Sequence, residues 1–513
     1  MDNRIYTAVS LPLALFYANS MSGQDGRPNI IYIMTDDHAA QAISAYGGIL
    51  ADYISTPNLD RIANEGIRMN HCCVTNSISA PSRGCIMTGQ YAHNNGVYTL
   101  NDGLRPEQEN LAKEMQDAGY QTAIVGKWHL KYEPTGFDYY NVMPGQGRYR
   151  NPVLISKEDR AGQTCPFDRT KATVYEGHST DVITDQVLGW IDGKRDKSKP
   201  FMMMCHYKAP HRDWVYAPRY DSLYADVVFP EPDNILDTYE GKAEYAKIQK
   251  MGLEFMTAVD MKCELPTDMS RDEFRHWAYQ RYMRQYLRCI AGVDENVGRI
   301  LKYLDDNGLA ENTIVIYTSD QGFFLGEHGW FDKRYMLEES LRMPLLIRYP
   351  KEIRPGTTND NIVINADFAP TLLDYAGISK PEYMQGESFR KILRKGKSPK
   401  GWRDAMYYRY WMNGDQHHNT VANYGIRTER YVLTFYYGKA LGKTGTKEMD
   451  YTPDWELYDL KKDPKEMNNI YGEKKNTKLV RKLKTQLSEL KKKYGDTDEK
   501  YPEMKEIEEK YYW

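Results

Sequence analysis

Asn29-Ile30-Ile31-Tyr32-Ile33-Met34 runs straight into Thr35-Asp36-Asp37-His38. A short, unbroken apolar run reads as a strand buried on both faces of a parallel sheet. Acidic residues just past its carboxyl end stand where open α/β sheets place their ligands. The same grammar recurs along the chain. Gln121–Val125 leads into Gly126-Lys127-Trp128-His129, Phe201–Cys205 into His206-Tyr207-Lys208-Ala209-Pro210-His211, and Thr313–Tyr317 into Thr318-Ser319-Asp320-Gln321-Gly322. Helical patterns lie around and between them at Leu59–Glu65, Asn110–Asp117, Thr180–Asp192 and Tyr282–Asn307. This alternation predicts a doubly wound, largely parallel α/β sheet flanked by helices.

Beyond about Gly396 the pattern changes. Ala405–Trp411 and Tyr424–Tyr437 are aromatic and alternating, and a charged helical stretch follows over Asn476–Tyr494. These predict a smaller antiparallel sheet with a packed helix, joined through Lys395–Lys400, so the chain divides into a large α/β domain over 25–395 and a C-terminal α+β subdomain over 396–513. The tail Asp496–Trp513 is charged and carries no clear pattern. At the other end, residues 1–24 combine Arg4, a short apolar run and small residues, the layout of a secretory signal peptide. That reading implies export to the periplasm or beyond. No other stretch approaches the length of a membrane span. A net charge of -3 gives no general case for nucleic-acid binding. The seven cysteines show no CxxC zinc spacing, and their pairing stays open.

Strand ends deliver Asp36, Asp37, Asp320 and Gln321. An aspartate pair alone would serve as a turn or helix cap. Carboxylates joined by an amide oxygen form an all-oxygen set, suited to Ca²⁺ or Mg²⁺ and not to zinc. A second feature is Ser79-Ala80-Pro81-Ser82-Arg83-Gly84, followed by Thr88-Gly89. By itself it could be a surface loop with a helix starting at Pro81.

Together these features resemble the type I, formylglycine-dependent sulfatase family, whose signature is Cys or Ser, any residue, Pro-Ser-Arg, then Thr-Gly. Ordered segments carry the resemblance over nearly the whole chain: RPNIIYIMTDDH, SAPSRGCIMTG, GYQTAIVGKWHL, KAPH, TSDQGFFLGEHG and WELYDLKKDPKE. It implies an alkaline phosphatase-like fold and conversion of Ser79 to formylglycine by an anaerobic sulfatase-maturating enzyme. Asp36, Asp37, Ser79, Asp320 and Gln321 would hold Ca²⁺, with Mg²⁺ the alternative. Many relatives have Asn where Gln321 stands. Arg83 would steady the nucleophile. Lys127 and Lys333 would stabilise charge on the sulfate, His211 would protonate the leaving oxygen, and His129 would act as base.

Several segments resemble the N-acetylglucosamine-6-sulfatase branch: Gly136–Tyr140, Pro144–Gly147 with Tyr149 and Asn151-Pro152, and His206–Arg212, which contains Lys208. His418 and Asn423–Arg427 fall in a region that borders the sugar in that branch, although relatives tend to carry His where Asn423 stands. The expected substrate is therefore a sulfated glycan bearing 6-O-sulfated N-acetylglucosamine, contacted by Lys127, His211, Lys333, Lys208, His418 and Arg427. The competing readings are a sulfatase for another sugar position, a phosphodiesterase or phosphonate hydrolase of the same superfamily, and a non-catalytic sulfoglycan-binding protein.

Overall fold

The computed structural model describes residues 26–160 and 171–513. The expected signal peptide and Cys165 lie outside the described residues. Among the described residues the main sheet has ten strands. In chain order they are β1 (Asn29–Thr35), β2 (Ile67–Met69), β3 (Gln121–Lys127), β4 (Tyr139–Met143), β5 (Val153–Ser156), β6 (Thr173–Val174), β7 (Phe201–His206), β8 (Thr313–Ser319), β9 (Leu345–Arg348) and β10 (Thr357–Asn359). Their spatial order is β10-β2-β9-β8-β1-β7-β3-β4-β5-β6. Strands β8, β1, β7, β3 and β4 are mutually parallel. β9 and β5 pair antiparallel on either side of them. The doubly wound, largely parallel arrangement expected from the apolar runs is what forms.

Both faces of β1 are buried, as its unbroken apolar sequence requires. Ile30, Tyr32 and Met34 pack in one core with Ile86 and Met87 of helix α1 (Ser79–Thr88). Ile31 and Ile33 pack in the opposite core with Val182 and Ile183 of α2 (Ser179–Gly193) and with Tyr282 and Tyr286 of α3 (Arg271–Asp306). Helix α3 has 36 residues and begins well before the expected Tyr282. Only its first three residues, Arg271, Asp272 and Glu273, are exposed and polar; Phe274, Trp277 and Ala278 already repeat at helical spacing, a signal the sequence reading passed over. The Ser270–Glu273 capping box, in which each side chain satisfies the other residue's backbone N–H, marks its true start.

The C-terminal sheet is four-stranded and antiparallel, in the order β11 (Ala405–Tyr410), β12 (Asn423–Thr428), β13 (Tyr431–Tyr436) and β14 (Asp454–Asp459). The expected single run Tyr424–Tyr437 is a hairpin that turns at Glu429-Arg430, with Arg427 opposite Val432. Helix α4 (Thr477–Tyr494) packs beside it, and the patternless tail forms α5 (Pro502–Tyr511). Tyr407, Phe435 and Leu487 belong to the same core as Tyr32 and Met34, so this sheet sits on the α1 face of the main one. Among the described residues no helix is long and apolar enough to cross a membrane.

Candidate active site

Register brings the strand ends to one level. Thr35 lies opposite Ser319, and His206 is paired with both Met34 and Gly126. The residues that follow, Asp36, Asp320, Tyr207 and Lys127, therefore emerge along one edge. The loops are stitched there by Asp36 N–H to the Ala209 carbonyl at 3.3 Å and Asp320 N–H to the Thr35 carbonyl at 3.2 Å. Asp37 adopts a left-handed φ of 69°, which aspartate tolerates better than most residues. In that conformation its N–H donates to Asp320 Oδ1 at 3.2 Å.

Helix α1 is buried along its whole length, and Ser79 opens it. The Ser79 hydroxyl donates to Asp36 Oδ1 at 3.1 Å. Arg83 stands one turn further on, on the same face. Its Nε donates to Asp320 Oδ2 at 3.1 Å and its Nη1 to the Lys127 carbonyl at 2.7 Å. The Ser82 hydroxyl donates to the Asp320 carbonyl. Residue 79 thus lies at a helix N-terminus, where the positive end of the dipole favours negative charge. The serine of the SAPSR stretch faces Asp36 and not solvent.

Cations close the other side. Lys127 Nζ contacts Asp36 and donates to Gln146 Oε1 at 2.5 Å. Lys333 Nζ bridges both Asp37 oxygens at 2.6 and 2.7 Å. His211 Nδ1 donates to the Arg212 carbonyl at 2.5 Å, which leaves Nε2 facing Asp37 Oδ2 at 3.8 Å. His129 follows Lys127 by one turn of loop and feels Lys127, Asp36, Arg83 and Lys333 electrostatically. Burial, reinforced by Lys127, holds both histidines well below their usual range, so both are neutral in the ligand-free pocket.

The three carboxylates do not titrate alike. Burial alone would raise Asp36, but the permanent charges of Lys127 and Arg83 hold it well below the carboxylate range. Burial lifts Asp37 to about 6 against the pull of Lys333, and burial with the neighbouring Asp36 charge lifts Asp320 to about 8. Charges packed this closely call for a counterion. Gln321 donates its amide N–H to Asp37, while its fully buried Oε1 has no hydrogen-bond partner. An orphaned carbonyl oxygen beside three carboxylates fits a hard divalent cation. Asp36, Asp37 and Asp320 are opposed by Arg83, Lys127 and Lys333. If all six are ionised their charges cancel, and a divalent cation would leave the pocket positive, as an anionic ester requires.

The outer positions divide. Lys208 reaches the Gln146 carbonyl at 3.2 Å, and burial together with Lys127 lowers it to about 8. His418 Nε2 donates to Asp332 Oδ2 at 2.9 Å, next to Lys333. Arg427 is not brought to this cluster. Its guanidinium is buried and pairs with Glu338 at 2.9 Å and with His71 at 3.0 Å, where the sequence reading had expected a sugar contact. Three further residues had not been singled out as site residues. Gln146 accepts from Lys127, while Asp332 and Arg334 flank Lys333 with left-handed φ values of 79° and 98° and pair with each other at 2.9 Å. The PGQG turn after β4 was the available signal for Gln146. Nothing in the sequence marks the Asp332–Arg334 pair.

Known proteins bear on this site. Residues 28–378 match the family model described as Sulfatase, and residues 326–493 match that described as N-sulphoglucosamine sulphohydrolase, C-terminal. The chain belongs to the sulfatase family. It is 42% identical to the N-acetylglucosamine-6-O-sulfatase of Bacteroides thetaiotaomicron, over 97% of this chain and 92% of that protein. It is 29% identical to the N-acetylglucosamine-6-sulfatase of Capra hircus, over 76% of this chain and 67% of that protein. A solved structure of a protein in complex with its substrate D-glucosamine-2-N,6-O-disulfate superposes with a TM-score of 0.84 at 42% identity, covering 93% of this chain and all of that one.

Proposed function

We propose that this protein hydrolyses the 6-O-sulfate ester of N-acetylglucosamine in a glycan, with residue 79 as nucleophile once it has been converted to formylglycine. The observation that carries the reading is the Ser79 hydroxyl on Asp36, inside a buried set of three carboxylates, one orphaned amide oxygen and three cations. The choice of sugar and position is supported by the relative at 42% identity and by the disulfated glucosamine in the similar structure.

Asp36, Asp37, Asp320 and Gln321 would hold Ca²⁺, or Mg²⁺ in its place. When bound, the ion supplies Lewis acidity that lowers the pKa of a hydroxyl at position 79 and draws charge from the sulfate. Arg83 orients that position through Asp320 and the helix backbone. Lys127 and Lys333 meet the sulfate oxygens, where their charge counts most because water is excluded. His211 Nε2, which takes a proton from solvent once the sulfate is bound, gives that proton to the leaving oxygen. It is neutral without ligand, and the incoming anion offsets the lysine charges that keep it so. His129 takes a proton from position 79 in the second half of the cycle. Export through residues 1–24 and maturation by an anaerobic sulfatase-maturating enzyme complete the proposal.

Matured enzyme should release sulfate from N-acetylglucosamine-6-sulfate with a kcat/KM at least about 100-fold above that for galactose-6-sulfate, because buried polar groups left unpaired by the wrong sugar penalise it. Release confined to galactose or uronate sulfates overturns the specificity. A phosphonate monoester hydrolase of Agrobacterium radiobacter shares the fold with a TM-score of 0.70 at 20% identity. Rates on matched sulfate and phosphonate esters separate that reading, since both substrates carry one negative charge.

A further inference from the structure

Helix α3 presents two different faces at the level of the catalytic centre. Tyr286 points inward and its hydroxyl donates to the Asp37 carbonyl at 2.6 Å. On the outer side, Arg281, Arg284, Gln285 and Arg288 form a stripe at helical spacing. Together with Lys262 and Tyr216 they line a pocket of about 290 Å³. Four cations thus surround one cavity.

None of the four forms an ion pair with a carboxylate among the described residues. Arg281 donates to the Met261 carbonyl at 3.0 Å, and Arg284 to the Tyr224 and Val227 carbonyls at 2.8 and 3.1 Å. Arg288 donates to the Leu223 carbonyl and the Tyr216 hydroxyl, each at 2.7 Å. Lys262 donates to the Asp213 carbonyl at 2.6 Å and contacts Gln285. Neutral oxygens therefore fix the geometry and leave the charge uncompensated. Asp213 and Asp226 act on Lys262 and Arg284 only from a distance, and Asp260 is engaged by Arg212 through two contacts of 2.6 Å. Burial, and after it the neighbouring Arg288 and Arg281, lowers the Arg284 pKa. Other arginines are paired, Arg219 with Asp181, Arg390 with Glu352 and Arg403 with Asp367.

The pocket is tied to the reaction centre. Asp213, which receives Lys262, lies two residues past His211, and Tyr149 donates to the His211 carbonyl at 2.5 Å while Cys289 on α3 feels both Tyr149 and Lys262. Arg284 and Arg288 flank Tyr286 within one helical turn, so roughly one helix diameter of about 10 Å separates the two faces.

We infer that this cluster is a second anion subsite, which takes a sulfate or carboxylate on a neighbouring sugar while the scissile sulfate occupies the catalytic pocket. The inference rests on the glycan reading above and extends it from a single sulfated sugar to a polyanionic chain. Its oxyanion would sit among Lys262, Arg281, Arg284 and Arg288, and would supply the charge that the protein leaves missing.

The test compares matured wild type with Lys262→Glu and with Arg284→Gln on N-acetylglucosamine-6-sulfate and on a sulfated, uronate-containing hexasaccharide. The expected result is a KM for the hexasaccharide raised roughly fivefold or more, with kcat and the monosaccharide constants unchanged, as for loss of a charge contact that binds ground and transition states alike. A hexasaccharide whose only sulfate is the scissile one identifies the ligand: the KM effect persists on it if a uronate is bound, and vanishes if a second sulfate is. Equal effects on both substrates, or none on either, overturn the subsite. Lys262 is exposed, so its variant keeps the test alive if Arg284→Gln fails to fold. Should neither substrate release sulfate, the catalytic reading has failed. Calorimetry of the hexasaccharide with Ser79→Ala then decides the subsite separately: weaker binding after adding Lys262→Glu supports it, and unchanged binding overturns it.

Discussion

The Ser79 hydroxyl donates to Asp36 Oδ1 at 3.1 Å across 43 residues of chain. Ser79→Ala should therefore remove the nucleophile while leaving the pocket intact. Sulfate release is expected to fall by a factor on the order of 10³ or more, with a stability cost of about 1 kcal/mol for one buried hydrogen bond. Turnover of the variant above a tenth of wild type would show that another group attacks the sulfate.

Divalent cation should be needed for structure as well as turnover. Gln321 Oε1 is buried without a partner, and burial together with the charge of Asp36 drives Asp37 and Asp320 upward. Chelation is expected to lower the thermal midpoint, and Ca²⁺ at 100 times its dissociation constant to restore about 2.7 kcal/mol. The same titration on Ser79→Ala tests this without reference to activity. A midpoint indifferent to Ca²⁺ and Mg²⁺ would mean the quartet holds no ion.

Arg427 offers a sharp contrast with the sequence reading. Its guanidinium is paired with Glu338 and His71 in a buried setting. Arg427→Ala should cost about 3–5 kcal/mol by stranding Glu338, yet leave KM for the monosaccharide unchanged. A large rise in KM with unaltered chemical denaturation would restore it to the sugar site.

Acid should loosen the seam between the C-terminal sheet and the tail. Asp496 contacts Arg409 at 2.9 Å with both oxygens, and Arg409 leads the charges that hold it well below the carboxylate range although burial pulls the other way. A depressed folded pKa contributes stability that is complete above the unfolded value, about 4. It is lost progressively as pH falls below that value toward the folded one. Asp496→Asn should therefore lower stability at pH 6, and the gap to wild type should shrink as pH falls from about 4. A gap that stays constant between pH 6 and pH 3 would remove the ion pair as its cause.

Much of the molecule could be read from the chain. NIIYIM, with acidic residues directly behind it, identified a central parallel strand and one end of the site, because in such sheets the carboxyl ends of strands must align. Lys127, His211 and Asp320 followed by the same rule, and Ser79 followed from its motif. The hairpin at Glu429-Arg430 and the helical tail were harder, since their packing partners lie far away in sequence, whereas the early start of α3 was missed although Phe274, Trp277 and Ala278 mark it.

By itself, then, the sequence determined four of the parallel strands and the reactive groups that stand at their ends, because burial on both sheet faces leaves its mark on every residue of a strand. Tertiary structure alone decided where long side chains terminate. Arg427 turns to Glu338, Gln146 reaches Lys127, and the arginines of α3 gather around a pocket with no carboxylate among them. A guanidinium or amide several bonds from its backbone goes to whichever charge the folded chain brings near, and that choice is settled only once distant segments have packed.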